Sequence, residues 1–140
     1  MAAETKCVPV LDGAKEYALD NWLKESVQSR QFQFARYKSY VKRDNIVPLF
    51  VCARPNQRHH LQRNKTASNK DSTLASVLAC YRVSDPSQSL IWYVWDPKHP
   101  NQLHLPQLSQ TIGELHAAYA DDAGYLHLQF QVETSFGHWI

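Results

Sequence analysis

Four glycines in 140 residues leave little material for a phosphate-cradling loop. The sequence contains no G-x-x-x-x-G-K-[ST], no G-x-S-x-G and no H-E-x-x-H, so the common signatures of nucleotide hydrolysis, serine hydrolysis and zinc proteolysis are missing. The three cysteines, Cys7, Cys52 and Cys80, are odd in number, widely spaced and without a C-x-x-C pair. That argues against a disulfide framework and against a structural zinc site. No apolar stretch approaches the roughly 20 residues that cross a bilayer. The beginning, MAAETKCVPVLDGAKE, carries Glu4 and Lys6 where a signal peptide would be apolar. These gaps point to a cytoplasmic or nuclear protein, not a secreted one, with no membrane partner, no metal and no cofactor.

What is present suits a single globular domain over residues 1–140. Apolar residues make up 44% of the chain, with four Trp, seven Tyr and five Phe as core anchors. A chain of this length buries roughly two-thirds of the surface its unfolded form exposes, enough for one core. The net charge of +2 hides a strong segregation. Between residues 30 and 70 there are ten Lys or Arg and one acid, Asp44. Residues 71–140 hold two basic and seven acidic groups. The stretch RPNQRHHLQRNKTASNK, residues 54–70, has no acid at all.

Periodicity predicts an α+β domain: a mainly antiparallel sheet of about five strands with two helices packed on it, in the order α-β-β-β-β-α-β. Helical spacing of Leu11, Ala14, Tyr17, Ala18, Trp22 and Val27 predicts a first helix over residues 12–29, opened by Asp12. Phe32 and Phe34 alternate with Gln31 and Gln33, favouring a strand there, with a helix through Tyr40 as the alternative. IVPLFVCA, residues 46–53, reads as a strand buried on both faces, although Pro48 argues against a central place. Residues 54–72 read as a long, mobile basic loop. TLASVLACYRV and LIWYVW then read as an antiparallel hairpin around the turn SDPSQS, with Trp92 and Trp95 on opposite faces. A second helix is expected over residues 107–121, entered at Pro106 and stopped by Gly124. In YLHLQFQVET, Leu126, Leu128, Phe130 and Val132 alternate with His127, Gln129, Gln131 and Glu133, predicting one face on the core and one in water.

The segregated charge supplies the leading functional expectation. Cations neutralise phosphates, and aromatic faces stack on unpaired bases. Interleaved as they are here, they predict a module for RNA or single-stranded DNA. Its binding residues would be Arg36, Tyr37, Lys38, Tyr40, Lys42, Arg43, Arg54, Arg58, His59, His60, Arg63 and Lys65. Phe32 and Phe34 read as core residues before they read as base-stacking ones. The alternative is a protein-interaction or homo-oligomeric assembly domain, with a protein partner or a second copy. It rests on the aromatic LIWYVW run and on Trp139 and Ile140 near the chain end. A third reading is a small hydrolase or nuclease, with His59 or His60 as base beside Arg58 and Arg63, or Asp96 orienting His99. No nucleophile stands near those histidines in the sequence, and no catalytic residue is assigned.

Overall fold

The computed structural model describes residues 8–13, 18–41, 45–55 and 57–134, with the side chains of residues 37, 39–41 and 134 left aside. The class is α+β, as expected, but the sheet is mixed and smaller strands gather in a second sheet. The elements are β1 (Val8–Asp12), α1 (Ala18–Lys24), α2 (Val27–Val41), β2 (Ile46–Ala53), β3 (His59–His60), β4 (Lys65–Asn69), α3 (Leu74–Leu78), β5 (Tyr81–Val83), β6 (Gln88–Trp95), α4 (Ile112–Tyr119) and β7 (Leu126–Thr134).

A four-stranded sheet runs β4-β2-β7-β6, and a three-stranded one runs β3-β1-β5. The central pair, β2 and β7, is parallel, with Leu49 opposite Leu126 and Ala53 opposite Phe130. Both outer pairs are antiparallel. Pro48 is tolerated in this central strand for a local reason. The ladder with β7 begins only at Leu49, so one flank of β2 is unpaired at the proline.

The sheet is covered on both faces, because successive β2 residues point to opposite sides. Leu49 and Val51 join Leu74, Val94, Ile112, Leu115, Leu126, Leu128 and Phe130 in one core, against α3, α4 and β1. Phe50 and Cys52 join Leu19, Trp22, Trp95, Ala123 and Tyr125 in the other, beneath α1 and α2. Each fully buried large apolar side chain contributes about 1.5–3 kcal/mol. Trp92 and Trp95 do face opposite ways: Trp92 packs on Phe130 and Trp95 on His127.

Several expectations are corrected. Asp12 does not open a helix; it ends β1, and the helix over residues 12–29 is divided. Ser26 separates α1 from α2, its hydroxyl accepting from the Ser29 amide at 3.0 Å, a helix-starting contact. The strand expected at residues 31–34 is the middle of α2. Val27, Arg30 and Phe34 fall on one helical stripe facing the core, while Phe32 is 66% exposed. The two-residue alternation of Phe and Gln was a coincidence within a 3.6-residue period.

The basic segment 54–72 is not one loop, since it carries β3 and β4. TLASVLACYRV is not one strand either. Thr73 caps α3, accepting from the Ser76 amide at 3.3 Å, and β5 follows. β5 pairs with β1 in parallel, while β6 pairs with β7, so the expected hairpin does not form. The second helix starts later, at Thr111, whose hydroxyl accepts from the Glu114 amide. Leu108 lies outside it and is 57% exposed. The polar face of β7 is only partly in water: His127 and Gln129 are each 1% exposed under the α1–α2 layer, whereas Gln131 is half-buried and Glu133 is exposed.

Candidate functional site

β4 is an edge strand, and among the described residues it pairs with β2 alone. Two backbone bonds beyond the ladder set its phase: Lys70 N–H donates to Asn45 at 2.9 Å, and Val51 N–H donates to Asn64 at 2.7 Å. Hydrogen-bonded pairs alternate along an antiparallel ladder. Asn64, Thr66, Ser68 and Lys70 therefore turn their backbone groups to β2, while Lys65, Ala67 and Asn69 turn theirs outward. The Asn69 carbonyl already accepts from the Ser72 amide at 3.1 Å, so the open edge presents its outward backbone groups at Lys65 and Ala67.

A cavity flanks this edge on each face of the sheet. On the α1 side, an open cleft of about 580 Å³ is lined by Trp22, Phe50, Glu25, Arg63 and Lys65, among others. Its floor is aromatic: Trp22 stacks on Phe50 with ring centroids 5.1 Å apart, and meets Tyr125 edge-on at 4.8 Å. Lys65 roofs it, with Nζ 5.0 Å from the centre of the Trp22 ring and donating to Gln33 Oε1 at 2.7 Å. On the opposite face, about 400 Å³ lies between β4 and α3, over Leu49, with Val77, Tyr81 and Val8 around it and Thr66, Ser68 and Ser76 at its rim. Burial pushes the Tyr81 hydroxyl up to about 12, aided by the neighbouring Cys80 thiol. That phenol stays neutral, and none of the cavity's lining residues carries a charge at neutral pH.

Beneath the first cavity sits a buried ionic network. Arg30 Nη1 contacts Asp121 Oδ2 at 3.2 Å and Asp122 Oδ1 at 3.0 Å. Its guanidinium lies 5.7 Å from the Trp22 ring centre. Asp121 also accepts from His127 Nε2 at 2.7 Å and from the Ala123 and Tyr125 amides at 2.9 Å. Burial opposes ionisation of Asp121, but the His127 hydrogen bond and the two amides outweigh it and hold its pKa below the usual carboxylate value. The network fixes the ring on which the cavity floor is built.

Among the described residues, the cations of the expected nucleic-acid platform are spread over several elements. Arg36 and Lys38 lie on α2. Arg54 leaves the end of β2 for Gln129, at 3.2 Å, and the face of Tyr93, at 5.8 Å. Arg58 sits 3.8 Å from Asp12, both exposed. His59 and His60 form β3, paired with β1. Arg63 and Lys65 line the first cavity. Lys42 and Arg43, and the side chains of Tyr37 and Tyr40, lie outside the described residues. Trp139 and Ile140 do as well. Asp96 and His99 do meet, at 3.0 Å, and the hydrogen bond from His99 is the main cause that lowers the Asp96 pKa. Asp96 also accepts from the Lys98 amide, so the pair closes the turn after β6. Among the described residues there is no group of three or more His, Cys, Asp or Glu that could hold a metal ion, and no helix is long and apolar enough to cross a membrane.

The open β4 edge was not legible in the sequence. KTASN has neither strong β propensity nor an apolar face, and its signal was hidden inside the basic segment.

No protein-family model matches the chain, and no curated protein sequence matches it. Solved structures do. Trypanosoma brucei ATG8 superposes with a TM-score of 0.62 at 17% identity, over 88% of this chain and 100% of that one. Plasmodium falciparum Atg8, in complex with a Plasmodium falciparum Atg3 peptide, superposes with a TM-score of 0.61 at 13% identity, over 83% of this chain and 96% of that one. The fold is similar to that of these two Atg8 structures. This likeness and the dispersal of the cations correct the nucleic-acid reading of residues 30–70.

Proposed function

We propose that a chain with the Atg8 fold and an open β4 edge between two cavities is a protein-interaction module that takes an extended peptide along β4. The observation that supports this reading is the pairing of outward backbone groups on Lys65 and Ala67 with one cavity on each face. An added strand would bond to those groups and extend the sheet, the usual mode of strand addition. Its side chains would alternate between faces. Two apolar anchors, one for each cavity, must then stand an odd number of positions apart. The Trp22–Phe50 floor suits an aromatic anchor, since ring pairs add about 0.5–1.5 kcal/mol beyond burial. Arg63 and Lys65 beside it favour acidic neighbours in the partner. The peptide held by the Plasmodium relative supports the same class of partner.

A random peptide library selected on the folded protein tests this. The expected outcome is enrichment of sequences with an aromatic residue and a second apolar residue at odd separation, flanked by Asp or Glu, with binding lost in Lys65→Glu. Enrichment without that parity, or no retained peptide, would overturn it.

A further inference from the structure

The chain leaving β6 does not run straight to α4. Residues 96–104 double back along the outer flank of β6, where the Val94 amide donates to the His104 carbonyl at 2.9 Å in an isolated antiparallel bridge. Halfway along, the Trp95 indole Nε1–H donates to the Pro100 carbonyl at 3.3 Å. The strap so formed is also one wall of an open cleft of about 660 Å³, in which Trp95, Pro97 and Pro100 face Leu23 of α1 and Arg30 of α2. Both ends of the strap meet at one side chain. Asp96, its first residue, has a side chain only 9% exposed. Its Oδ2 lies 3.0 Å from His99 Nδ1 and 4.0 Å from His104 Nε2, and its Oδ1 accepts from the Lys98 amide at 3.0 Å. The His104 nitrogen is buried and has no hydrogen-bond partner.

We propose that residues 96–104 form an acid-fastened strap: protons taken up by His99 and His104 draw both rings onto the Asp96 carboxylate and hold this cleft wall against β6. His99 already reaches Asp96, and a second proton on its ring makes that contact a charge-assisted one. His104 stops 4.0 Å short, beyond a hydrogen bond. Once protonated, its ring carries hydrogen on both nitrogens and can direct Nε2–H at Oδ2. A carboxylate withdrawn from water is the setting in which such contacts strengthen. The surrounding groups offer the histidines no other acid. Tyr119 of α4 packs its ring on His104, with centroids 5.2 Å apart, and is uncharged at neutral pH. Lys98 of the strap is exposed, and across the cleft Arg30 is paired with Asp121 and Asp122. Histidine changes charge between pH 5 and 8. Asp96 stays ionised over that range, because the hydrogen bond from His99 holds its carboxyl below the usual value. A closed strap that favours charged histidines binds protons more tightly than an open one, so closure gains as pH falls through this range and is lost as pH rises. The device is independent of the β4 edge.

The Val94 amide reports on the strap directly, because its acceptor belongs to it. Hydrogen exchange of that amide, followed by NMR on the whole protein from pH 8 to pH 5.5 and corrected for the intrinsic rate, should show protection rising about tenfold toward acid, as when the closed form holds one proton ten times more tightly. Amides of β7 should not follow. Asp96→Asn keeps an acceptor for the Lys98 amide and removes the charge, so its Val94 protection should be flat across the range. His104→Gln should lose the larger part of the rise. A melting curve for each variant shows whether it is folded, and the natural protein alone supplies the first reading whatever the variants do. Protection that stays flat or falls toward acid overturns the proposal. A rise shared equally by β7 assigns the effect to the whole fold and overturns it as well. A rise that survives in folded Asp96→Asn overturns the role of the carboxylate.

Discussion

Arg30 of α2 and Asp121, just before β7, meet at 3.2 Å with 5% and 2% of their side chains exposed, 91 residues apart in sequence. This contact ties the helical layer to the turn that launches the central strand. Removing one partner of such a pair leaves an uncompensated buried charge, at a cost of about 3–5 kcal/mol. Asp121→Ala is expected to lose that much in urea unfolding. Asp121→Asn, which can still accept from the Ala123 and Tyr125 amides, should lose less.

The same carboxylate sets a pH dependence. The pKa of Asp121 is lowered in the folded state, so the unfolded chain takes up the proton first as pH falls. The stability it supplies is present above its unfolded pKa of about 3.9 and disappears as pH falls through the folded value. Unfolding free energy measured from pH 7 to pH 3 should therefore decline at the acid end. In Asp121→Asn that part of the decline should vanish.

The phase of the β4 ladder predicts opposite effects for two adjacent prolines. Ala67→Pro removes an outward amide, which contributes nothing to the pairing with β2. The fold should survive with a similar melting temperature, and peptide affinity should fall about fivefold, as for one lost hydrogen bond of roughly 1 kcal/mol. Thr66→Pro removes an inward amide and should unfold the edge. Melting curves and peptide titration on both variants separate the cases.

Trp22 joins the first cavity to the ionic network, stacked on Phe50 and under the Arg30 cation. Trp22→Ala should cost about 3–5 kcal/mol, as truncation of a large buried ring does. Trp22→Phe should retain most of the stability while weakening a peptide with an aromatic anchor. Denaturant midpoints and titrations on the same preparations give both numbers.

Much of the sheet was legible from residues. IVPLFVCA and YLHLQFQVET are strands because their β-branched and apolar content admits no other element, and LIWYVW follows for the same reason. The expected α+β class rested on these. The helical layer over β7 was not legible, because His127 and Gln129 carry the polarity of a wet face. They are buried only because Asp121 and Arg54, distant in sequence, satisfy them. α2 was concealed by a chance alternation of Phe and Gln. The fold sends members of the cation cluster to different places: Arg30 turns inward, Arg54 turns to β7, and Arg63 and Lys65 line the first cavity. A charge count along the chain says nothing about where the fold sends each side chain.

The place of β7 between β2 and β6 bears on how the polypeptide emerges during synthesis. Before residue 126 leaves the ribosome, β2 can pair with β4, but β6 has no partner within the larger sheet. Its row of Leu90, Ile91 and Trp92 must wait, uncovered, for the strand that follows α4. Assembly dominated by such distant pairings is slow. Truncated chains ending at α4 should consequently be sticky, protease-sensitive species that call on chaperones, whereas a chain reaching Thr134 can shut both hydrophobic layers in one concerted event.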